Sequence, residues 1–220
     1  MFEDQIQVIK ASDLTTIFSK KVEDKSQYIT KSPETLNKVR FLDIYMSGHK
    51  GFIAGGCFKN IFKDEKVKDI DMFFRSEKDF LGARDHYHCS EDYVFAYENK
   101  NTIAFKNIHT GIIIELVFHT YGSPQEILNK FDFSITKMAY YKQEDGVYDV
   151  LFHADFFEHL MCNKLVLEKD ILFPISTFYR AFRYNKYGYG LCGKSALNLL
   201  EAVRQWQGNM DVGSLYFGID

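Results

Sequence analysis

Two adjacent glycines, Gly55 and Gly56, constrain the fold of this chain more than any other feature of its sequence. The apolar residues 52–54 before them predict a short strand, and glycine tolerates the positive φ and close backbone approach of the turn that follows. Residues 69–74 predict a second strand. Because side chains alternate along a strand, Asp69 and Asp71 share one face. The sequence therefore predicts a strand, a glycine turn and helix, and a strand that presents two carboxylates.

A third acidic residue lies in the middle of an apolar segment. Glu115 interrupts residues 112–118, which are otherwise apolar enough to form a strand buried on both faces. A carboxylate there costs free energy unless it is paired or binds a metal ion. Two interpretations stay open: a metal ligand, or a glutamate that forms a salt bridge or faces water at the end of a strand.

Carboxylates on neighbouring strands indicate a site for divalent cations. Proteins usually hold Mg²⁺ through one or two carboxylates together with phosphate oxygens of the substrate. Asp69, Asp71 and Glu115 are therefore predicted to be the catalytic and metal-binding acids of a site that takes two Mg²⁺ ions. An Asp-x-Asp pair also occurs on strands with one face in water, so the pair alone is a weak indication.

The remaining pattern predicts an α+β fold, with a small mixed sheet flanked by helices and followed by a short helical neck-like region. Capping signals at Ser32-Pro33, Ser76 and Ser123 predict the starts of three helices. Apolar patterns predict further strands at residues 93–97, 102–107 and 111–118, a strand-like segment at residues 133–141, and helices at residues 156–167, 175–187 and 195–206.

Composition narrows the class of protein. Hydrophobic residues make up 46% of the 220 residues and the formal net charge is −3, so the chain folds and any site for a polyanion must be local. No apolar segment is long enough to span a membrane and no secretion signal precedes the fold, so we expect a soluble, cytoplasmic protein.

The cysteines lack CxxC spacing, and zinc at His86, His88 and Cys89 would need a fourth ligand that is not evident.

Residues 188–195 match the P-loop pattern G-x-x-x-x-G-K-S letter for letter. A P-loop follows a buried strand in a parallel sheet, whereas this segment follows residues 180–187, which are basic and predicted to be helical. We therefore interpret the match as a coincidence, in which Gly188 ends one helix and the segment leads to the next.

Several segments, taken in order, resemble the head domain of class II tRNA nucleotidyltransferases and bacterial poly(A) polymerases, within the polymerase-β-like superfamily. The glycine turn at residues 55–60 followed by Asp69-Ile70-Asp71 resembles the signature of that head domain, and Glu115-Leu116-Val117 falls where the family has an acidic strand residue. Residues 132–140 resemble the family's R-R-D-F-T-I-N-A-M-A-Y segment. Residues 179–184 resemble its L-R-A-V-R-F helix. The resemblance spans about residues 50–190 and is more specific as an ordered series than any single motif.

The resemblance implies which residues bind the nucleotide. These are Gly55, Gly56, Lys59, Asp132, Arg180 and Arg183, of which the lysine and the arginines supply positive charge for the triphosphate. Asp132 would contact the nucleotide or orient an arginine; alternatively it is an acid at a helix end with no catalytic part.

The sequence also departs from the family pattern. Lys59 and Asn60 replace an Arg-Asp pair, and Lys130-Phe131 replaces the Arg-Arg pair before Asp132. Pro174 and Thr177 fall where the family has a base-selecting acid and another arginine, so the family's rule for choosing CTP or ATP does not carry over.

By resemblance, we expect an enzyme, a Mg²⁺-dependent nucleotidyltransferase that moves an NMP from an NTP to a hydroxyl of RNA, protein or a small molecule and releases pyrophosphate. ATP is the favoured nucleotide, acceptor RNA is one candidate partner, no membrane is involved, and the oligomeric state is open. The alternative is a catalytically silent nucleotide- or RNA-binding module of the same fold.

We expect the nucleotidyltransferase domain over residues 1–153 and the neck-like extension over residues 154–220, packed as one unit with it. A toxin or a phage-encoded factor is as compatible with so compact a chain as a housekeeping enzyme.

Overall fold

A computed structural model describes residues 27–167 and 171–208. Within these residues, eight strands form one sheet in the order β1-β8-β7-β2-β3-β6-β5-β4, and a separate short pair joins β9 to β10. The strands are β1 (Tyr28–Lys31), β2 (Phe52–Ala54), β3 (Asp69–Phe73), β4 (Tyr93–Glu98), β5 (Thr102–Asn107), β6 (Ile113–Val117), β7 (Met138–Lys142), β8 (Tyr148–His153), β9 (Lys164–Leu165) and β10 (Gly190–Leu191). In the large sheet, β3 and β6 pair in parallel and the other neighbours are antiparallel.

Helices pack on both faces of the large sheet and continue after its last strand. The α-helices are α1 (Cys57–Phe62), α2 (Glu77–Cys89), α3 (Pro124–Asn129), α4 (Phe156–Met161), α5 (Pro174–Lys186) and α6 (Gly193–Gln205), and two 3₁₀ helices cover Asn37–Met46 and Ser134–Thr136. The fold is thus α+β with a mixed sheet, as the sequence predicts. No helix in the described part of the chain is long and apolar enough to cross a membrane.

The two faces of the sheet have different roles. Ile70, Met72 and Leu116 face the main core, which they share with α1, α2 and the first 3₁₀ helix. Complete burial of each such aliphatic side chain stabilises the fold by roughly 2 kcal/mol. The opposite face carries Asp69, Asp71 and Glu115 beside a smaller apolar cluster under α3. The alternation of residues along β3 therefore separates the acids from the main core.

The capping signals are confirmed at two helices. Ser76 caps α2 by accepting a hydrogen bond from the Asp79 backbone N–H, and Ser123 and Glu126 form a reciprocal capping box at α3. After Ser32-Pro33, the structure has a turn and then the 3₁₀ helix Asn37–Met46, so the prediction of a regular helix there is only partly correct.

Other segments also differ from the predictions, including residues 133–141, in which the 3₁₀ helix Ser134–Thr136 precedes the strand. The predicted helix over residues 156–167 is wrong beyond Met161, because Asn163 adopts φ +51° and β9 then pairs with β10. The large sheet also exceeds the predicted one by β1 and β8. Within β8, Val150, Leu151 and Phe152 are all buried, and a strand with both faces covered lacks the alternation that marks a strand in sequence.

The segment that matches the P-loop pattern joins two helices, as interpreted from the sequence. Gly188 follows α5 with φ +86°, and its N–H donates to the Asn185 carbonyl, which makes it the residue that ends the helix. Ser195 is buried in α6, where its hydroxyl accepts a hydrogen bond from the Leu167 N–H. This serine serves the packing of the C-terminal helices.

Candidate active site

The parallel pairing of β3 and β6 brings acids from two distant segments together. Asp71 pairs directly with Glu115, and Asp69 pairs with Ile113. Neighbouring strands lie about 4.8 Å apart, and paired residues point to the same face. Asp69, Asp71 and Glu115 therefore lie on one face of two central strands, and we call this set the acidic row.

The members of the acidic row differ in their exposure to solvent. Glu115 is only 4% exposed, whereas Asp69 and Asp71 are half-buried. One oxygen of Glu115, Oε1, accepts a hydrogen bond from the Tyr97 hydroxyl at 2.5 Å. Glu115 is thus buried with a polar partner on β4, and the two aspartates form the more accessible end of the row.

Gly55 brings the chain close to Asp71. Its φ is +107°, and a Cβ atom at this position would lie 3.2 Å from Asp71 Oδ2 and 3.5 Å from the Phe131 ring. A Cβ atom on the next residue, Gly56, would lie 4.0 Å from the Tyr184 hydroxyl. Gly55 therefore leaves room beside Asp71 and Phe131 that a side chain would press into, whereas a Cβ atom on Gly56 would only make an ordinary contact with α5.

The first residue of α1 is buried beside the acids. Burial, followed by the negative charges of Asp71 and Asp69, raises the pKa of the Cys57 thiol well above its usual range. The thiol therefore stays protonated at neutral pH and acts as a small apolar group under the site.

The oxygen donors of the acidic row suit a hard cation such as Mg²⁺. In the described residues, no three His, Cys, Asp or Glu side chains converge closely enough to hold an ion by themselves. A Mg²⁺ site that takes one or two carboxylates and completes its shell with phosphate oxygens and water does not require three. His86, His88 and Cys89 on α2 do not form such a group either, so the structure gives the zinc interpretation no support.

A buried ion pair holds one of the predicted arginines. Arg180 Nη2 lies 2.5 Å from Asp132 Oδ2, with the Asp132 side chain 4% exposed. Burial raises the pKa of Asp132, while the positive charge of Arg180 and a hydrogen bond with Thr177 oppose this shift. Of the two roles that the resemblance implies for Asp132, the geometry matches the orientation of an arginine.

The other predicted cations lie around the same end of α5. Arg183 follows Arg180 by one helical turn and is half-buried. Lys59 on α1 is buried, with its Nζ 3.7 Å from Glu65 Oε2 and 5.6 Å from the centre of the Tyr187 ring. The ammonium group of Lys59 is thus already engaged with an acid and an aromatic ring.

Comparison with known proteins places the chain in a family. The Gabija anti-defense 2 (Gad2) family matches residues 14–162. This chain belongs to the Gabija anti-defense 2 family. It is 24% identical over 175 residues to the Gabija anti-defense 2 protein of Bacillus phage SPbetaL7, a match that covers 74% of this chain and 42% of the relative. The chain therefore spans less than half the length of that relative.

Solved structures share the fold of this Gad2-family chain. A CCA-adding enzyme with ATP superposes with a TM-score of 0.59 at 14% identity, and one with CTP gives 0.58 at 16%; each match covers 81% of this chain and 47% of the enzyme. A tRNA nucleotidyltransferase complexed with a primer tRNA and an ATP analogue gives 0.52 at 16% identity, over 76% of this chain and 50% of that one. The predicted resemblance to the class II tRNA nucleotidyltransferase fold is therefore confirmed.

Three further residues lie beside the site, and of these the sequence marked only Thr177, as a departure from the family pattern. Tyr97 reaches Glu115 from an edge strand, Tyr184 approaches Gly56 from α5, and Thr177 bonds to Asp132 from the first turn of α5. Each is an uncharged residue within an ordinary apolar pattern, and only the tertiary fold brings it to the site.

Proposed function

We propose that this Gad2-family protein is a Mg²⁺-dependent nucleotidyltransferase that transfers an NMP from an NTP to a hydroxyl acceptor and releases pyrophosphate. The observation that carries the proposal is the register of β3 and β6, which sets Asp71 against Glu115 beside Asp69. This acidic row occurs in a fold shared with CCA-adding enzymes that bind ATP and CTP. Neither feature alone specifies the reaction, and together they favour nucleotidyl transfer.

Asp69, Asp71 and Glu115 are the residues that would hold Mg²⁺. Bound there, the ions would favour ionisation of the acceptor hydroxyl and neutralise charge on the triphosphate. The role of the chain itself is to keep three carboxylates on one rigid sheet face, with the Gly55 turn leaving space beside Asp71. In the reaction, the acceptor oxygen bonds to the α-phosphorus as the bond to the bridging oxygen of the pyrophosphate breaks.

Helix α5 would supply charge for the triphosphate. Asp132 holds the Arg180 guanidinium in one orientation, and Arg183 lies one turn further along the same helix. Guanidinium groups grip phosphate oxygens through paired N–H donors, so a fixed arginine orients the nucleotide as well as attracting it. Lys59 would add a third positive charge if the phosphates displaced Glu65 from its ammonium group.

We further propose ATP as the nucleotide and an RNA 3′ end as the first acceptor to test. The related structures include nucleotidyltransferases solved with ATP, an ATP analogue and tRNA. Because the relative from Bacillus phage SPbetaL7 is an anti-defense protein, we place the activity in phage counter-defence. The acceptor would then belong to the host or to its defence system.

The competing function is a nucleotide- or RNA-binding module without turnover. The engagement of Lys59 with Glu65 favours it, because this lysine is not free to meet a phosphate without rearrangement. Isothermal titration with ATP separates the two functions. The catalytic proposal predicts that Mg²⁺ strengthens ATP binding and that Asp69→Asn and Asp71→Asn remove this effect. ATP binding that changes neither with Mg²⁺ nor with these substitutions would favour the module without turnover.

The acceptor can be identified by incubating the protein with each α-³²P-labelled NTP, Mg²⁺ and an extract of host cells. Label recovered in RNA, protein or small solutes names the acceptor class. Asp79→Asn is a matched control for Asp71→Asn, because Asp79 is an aspartate near the start of α2 and away from the acidic row. We expect the control to retain transfer and Asp71→Asn to lose it by at least about a hundredfold.

A further inference from the structure

A β-bulge in edge strand β4 changes which face of the sheet one tyrosine occupies. Strand β4 pairs with β5 in one register from Tyr93 to Phe95, and the register is shifted by one residue from Tyr97 onward. The unpaired residue is Ala96. If the pairing continued in its first register, Tyr97 would pair with Ile103 and lie on the main-core face, because side chains alternate along a strand. The bulge therefore moves Tyr97 to the face that carries the acidic row.

A row of paired residues links Tyr97 to the acids across four strands. Tyr97 pairs with Ala104, Ala104 with Glu115, and Glu115 with Asp71. Ala104 is fully buried and has the smallest side chain that a strand residue can place between the two partners. The Tyr97 hydroxyl spans this position and donates to Glu115 Oε1 at 2.5 Å. A larger residue at 104 would occupy the path between them.

We propose that Tyr97 is a positioning residue, which fixes the orientation of the Glu115 carboxylate beside Asp71 for metal binding and transfer; this inference rests on the proposed function. A glutamate side chain has three rotatable torsions, and a short hydrogen bond from a hydroxyl to a carboxylate restricts them. Groups that hydrogen-bond to metal ligands typically change metal affinity or activity by about 10- to 100-fold when removed. Tyr97 is placed to act on Glu115 in this way.

The surroundings of Tyr97 argue against a purely structural role. On the same strand, Val94 and Phe95 are 49% and 55% exposed, so this part of the edge packs loosely. A bulge interrupts the regular hydrogen-bond ladder of an edge strand. Here the bulge brings the Tyr97 hydroxyl within hydrogen-bond distance of Glu115 Oε1.

The test compares Tyr97→Phe with Tyr93→Phe. Both substitutions remove one hydroxyl from β4, but Tyr93 packs on the main-core face, where its hydroxyl bonds with Asn107. Mn²⁺ replaces Mg²⁺ as a probe, and its affinity is measured by electron paramagnetic resonance with a non-hydrolysable ATP analogue bound, because phosphate oxygens complete the metal shell. The same proteins are assayed for kcat and for KM of ATP, and thermal unfolding confirms that each is folded.

We expect Tyr97→Phe to weaken Mn²⁺ binding and to lower kcat, each by about tenfold or more, with little change in KM for ATP. Tyr93→Phe should match the wild type in both. In a Glu115→Gln background, the additional Tyr97→Phe change should have no further effect on Mn²⁺ affinity, because its only route to the metal is lost.

Two results would overturn the inference: Mn²⁺ affinity in Tyr97→Phe equal to that of the wild type, or equal losses in Tyr97→Phe and Tyr93→Phe. The proposed function fails separately, through a wild-type protein that binds Mn²⁺ but transfers no nucleotide. The comparison of Mn²⁺ affinities therefore tests the role of Tyr97 whether or not nucleotide transfer is observed.

Discussion

Small residues shape the acidic row by the space they leave. Gly55 lets the chain pass beside Asp71, and Ala104 leaves the path from Tyr97 to Glu115 open. Neither residue carries a functional group, so their contribution is steric. The space beside the carboxylates therefore depends on these two residues.

Gly55→Ala is predicted to impair the site beyond its effect on stability. The φ of +107° disfavours any residue with a Cβ atom, and the added methyl would press on Asp71 Oδ2 at 3.2 Å. We expect a loss of about 1–2 kcal/mol in the free energy of unfolding, measured in urea. We also expect at least a tenfold loss of Mg²⁺-dependent ATP binding, measured by titration.

Gly111→Ala is the matched control for this substitution. Gly111 also has a positive φ, +74°, but a Cβ atom there would meet nothing within 4 Å. Both alanine variants should lose stability, and only Gly55→Ala should lose nucleotide binding. If the two variants bind ATP equally well, the close approach of Gly55 to Asp71 does not contribute to nucleotide binding.

At the level of elements, the sequence predicted those parts of the fold whose signals are local. Ser76 and Ser123 marked helix starts through capping, and the alternation of Asp69 and Asp71 marked a strand with one polar face. The residue pattern also indicated that Asp69, Asp71 and Glu115 share a site, but it could not predict that Asp71 pairs directly with Glu115, because register between distant strands leaves no local trace.

Other elements escaped prediction because tertiary contacts decide them. The bulge that turns Tyr97 toward Glu115 follows from pairing with β5. No residue type in β4 predicts a bulge at this position. Residues 162–165 leave the predicted helix because Asn163 adopts a positive φ and β9 then pairs with β10. The predicted domain limits at residues 153 and 154 stay a prediction, and residues 1–26, 168–170 and 209–220 lie outside the described chain.

The turn before β2 contains a histidine that should make stability depend on pH. His49 Nδ1 accepts a hydrogen bond from the Gly51 N–H, and Nε2 contacts the Tyr45 carbonyl, an arrangement that suits a neutral ring. Burial lowers the pKa of His49 from 6.5 to about 4; the carbonyl of Tyr45 opposes this shift and the charge of His86 adds to it. Between these two pH values, the unfolded chain binds more protons than the folded one.

The free energy of unfolding should therefore be highest above pH 6.5 and fall as the pH drops toward 4, by up to about 3 kcal/mol from this residue. Urea denaturation at pH 7 and pH 4.5 measures the difference. His49→Gln should reduce it, whereas the exposed His119→Gln should leave it unchanged. Equal pH dependence in wild type and His49→Gln would show that the ring does not resist protonation.

At the scale of the whole molecule, the C-terminal helices share the core of the sheet. Leu160, Leu165 and Leu199 belong to the same buried cluster as residues of β2 and β3. The Tyr184 ring of α5 packs edge-on against Phe133 with centroids 5.3 Å apart. This continuity predicts that the described chain unfolds as one cooperative unit.

The single tryptophan offers a direct test of that cooperativity. Trp206 follows α6, so its fluorescence reports on the C-terminal helices, whereas far-ultraviolet circular dichroism reports on the whole fold. We expect the two urea unfolding curves to coincide. A fluorescence transition at clearly lower urea would mean that residues after 154 form a separate, weaker unit.

The fate of the α-phosphate of ATP shows whether the acidic row catalyses nucleotidyl transfer. Purified protein is incubated with Mg²⁺, host extract and ATP labelled at either the α- or the γ-phosphate, in parallel with Asp71→Asn. With nucleotidyl transfer, we expect α-label to enter an acceptor, γ-label to be recovered as pyrophosphate, and both products to disappear in the variant. Transfer of γ-label to the acceptor, or equal transfer by Asp71→Asn, would contradict nucleotidyl transfer at the acidic row.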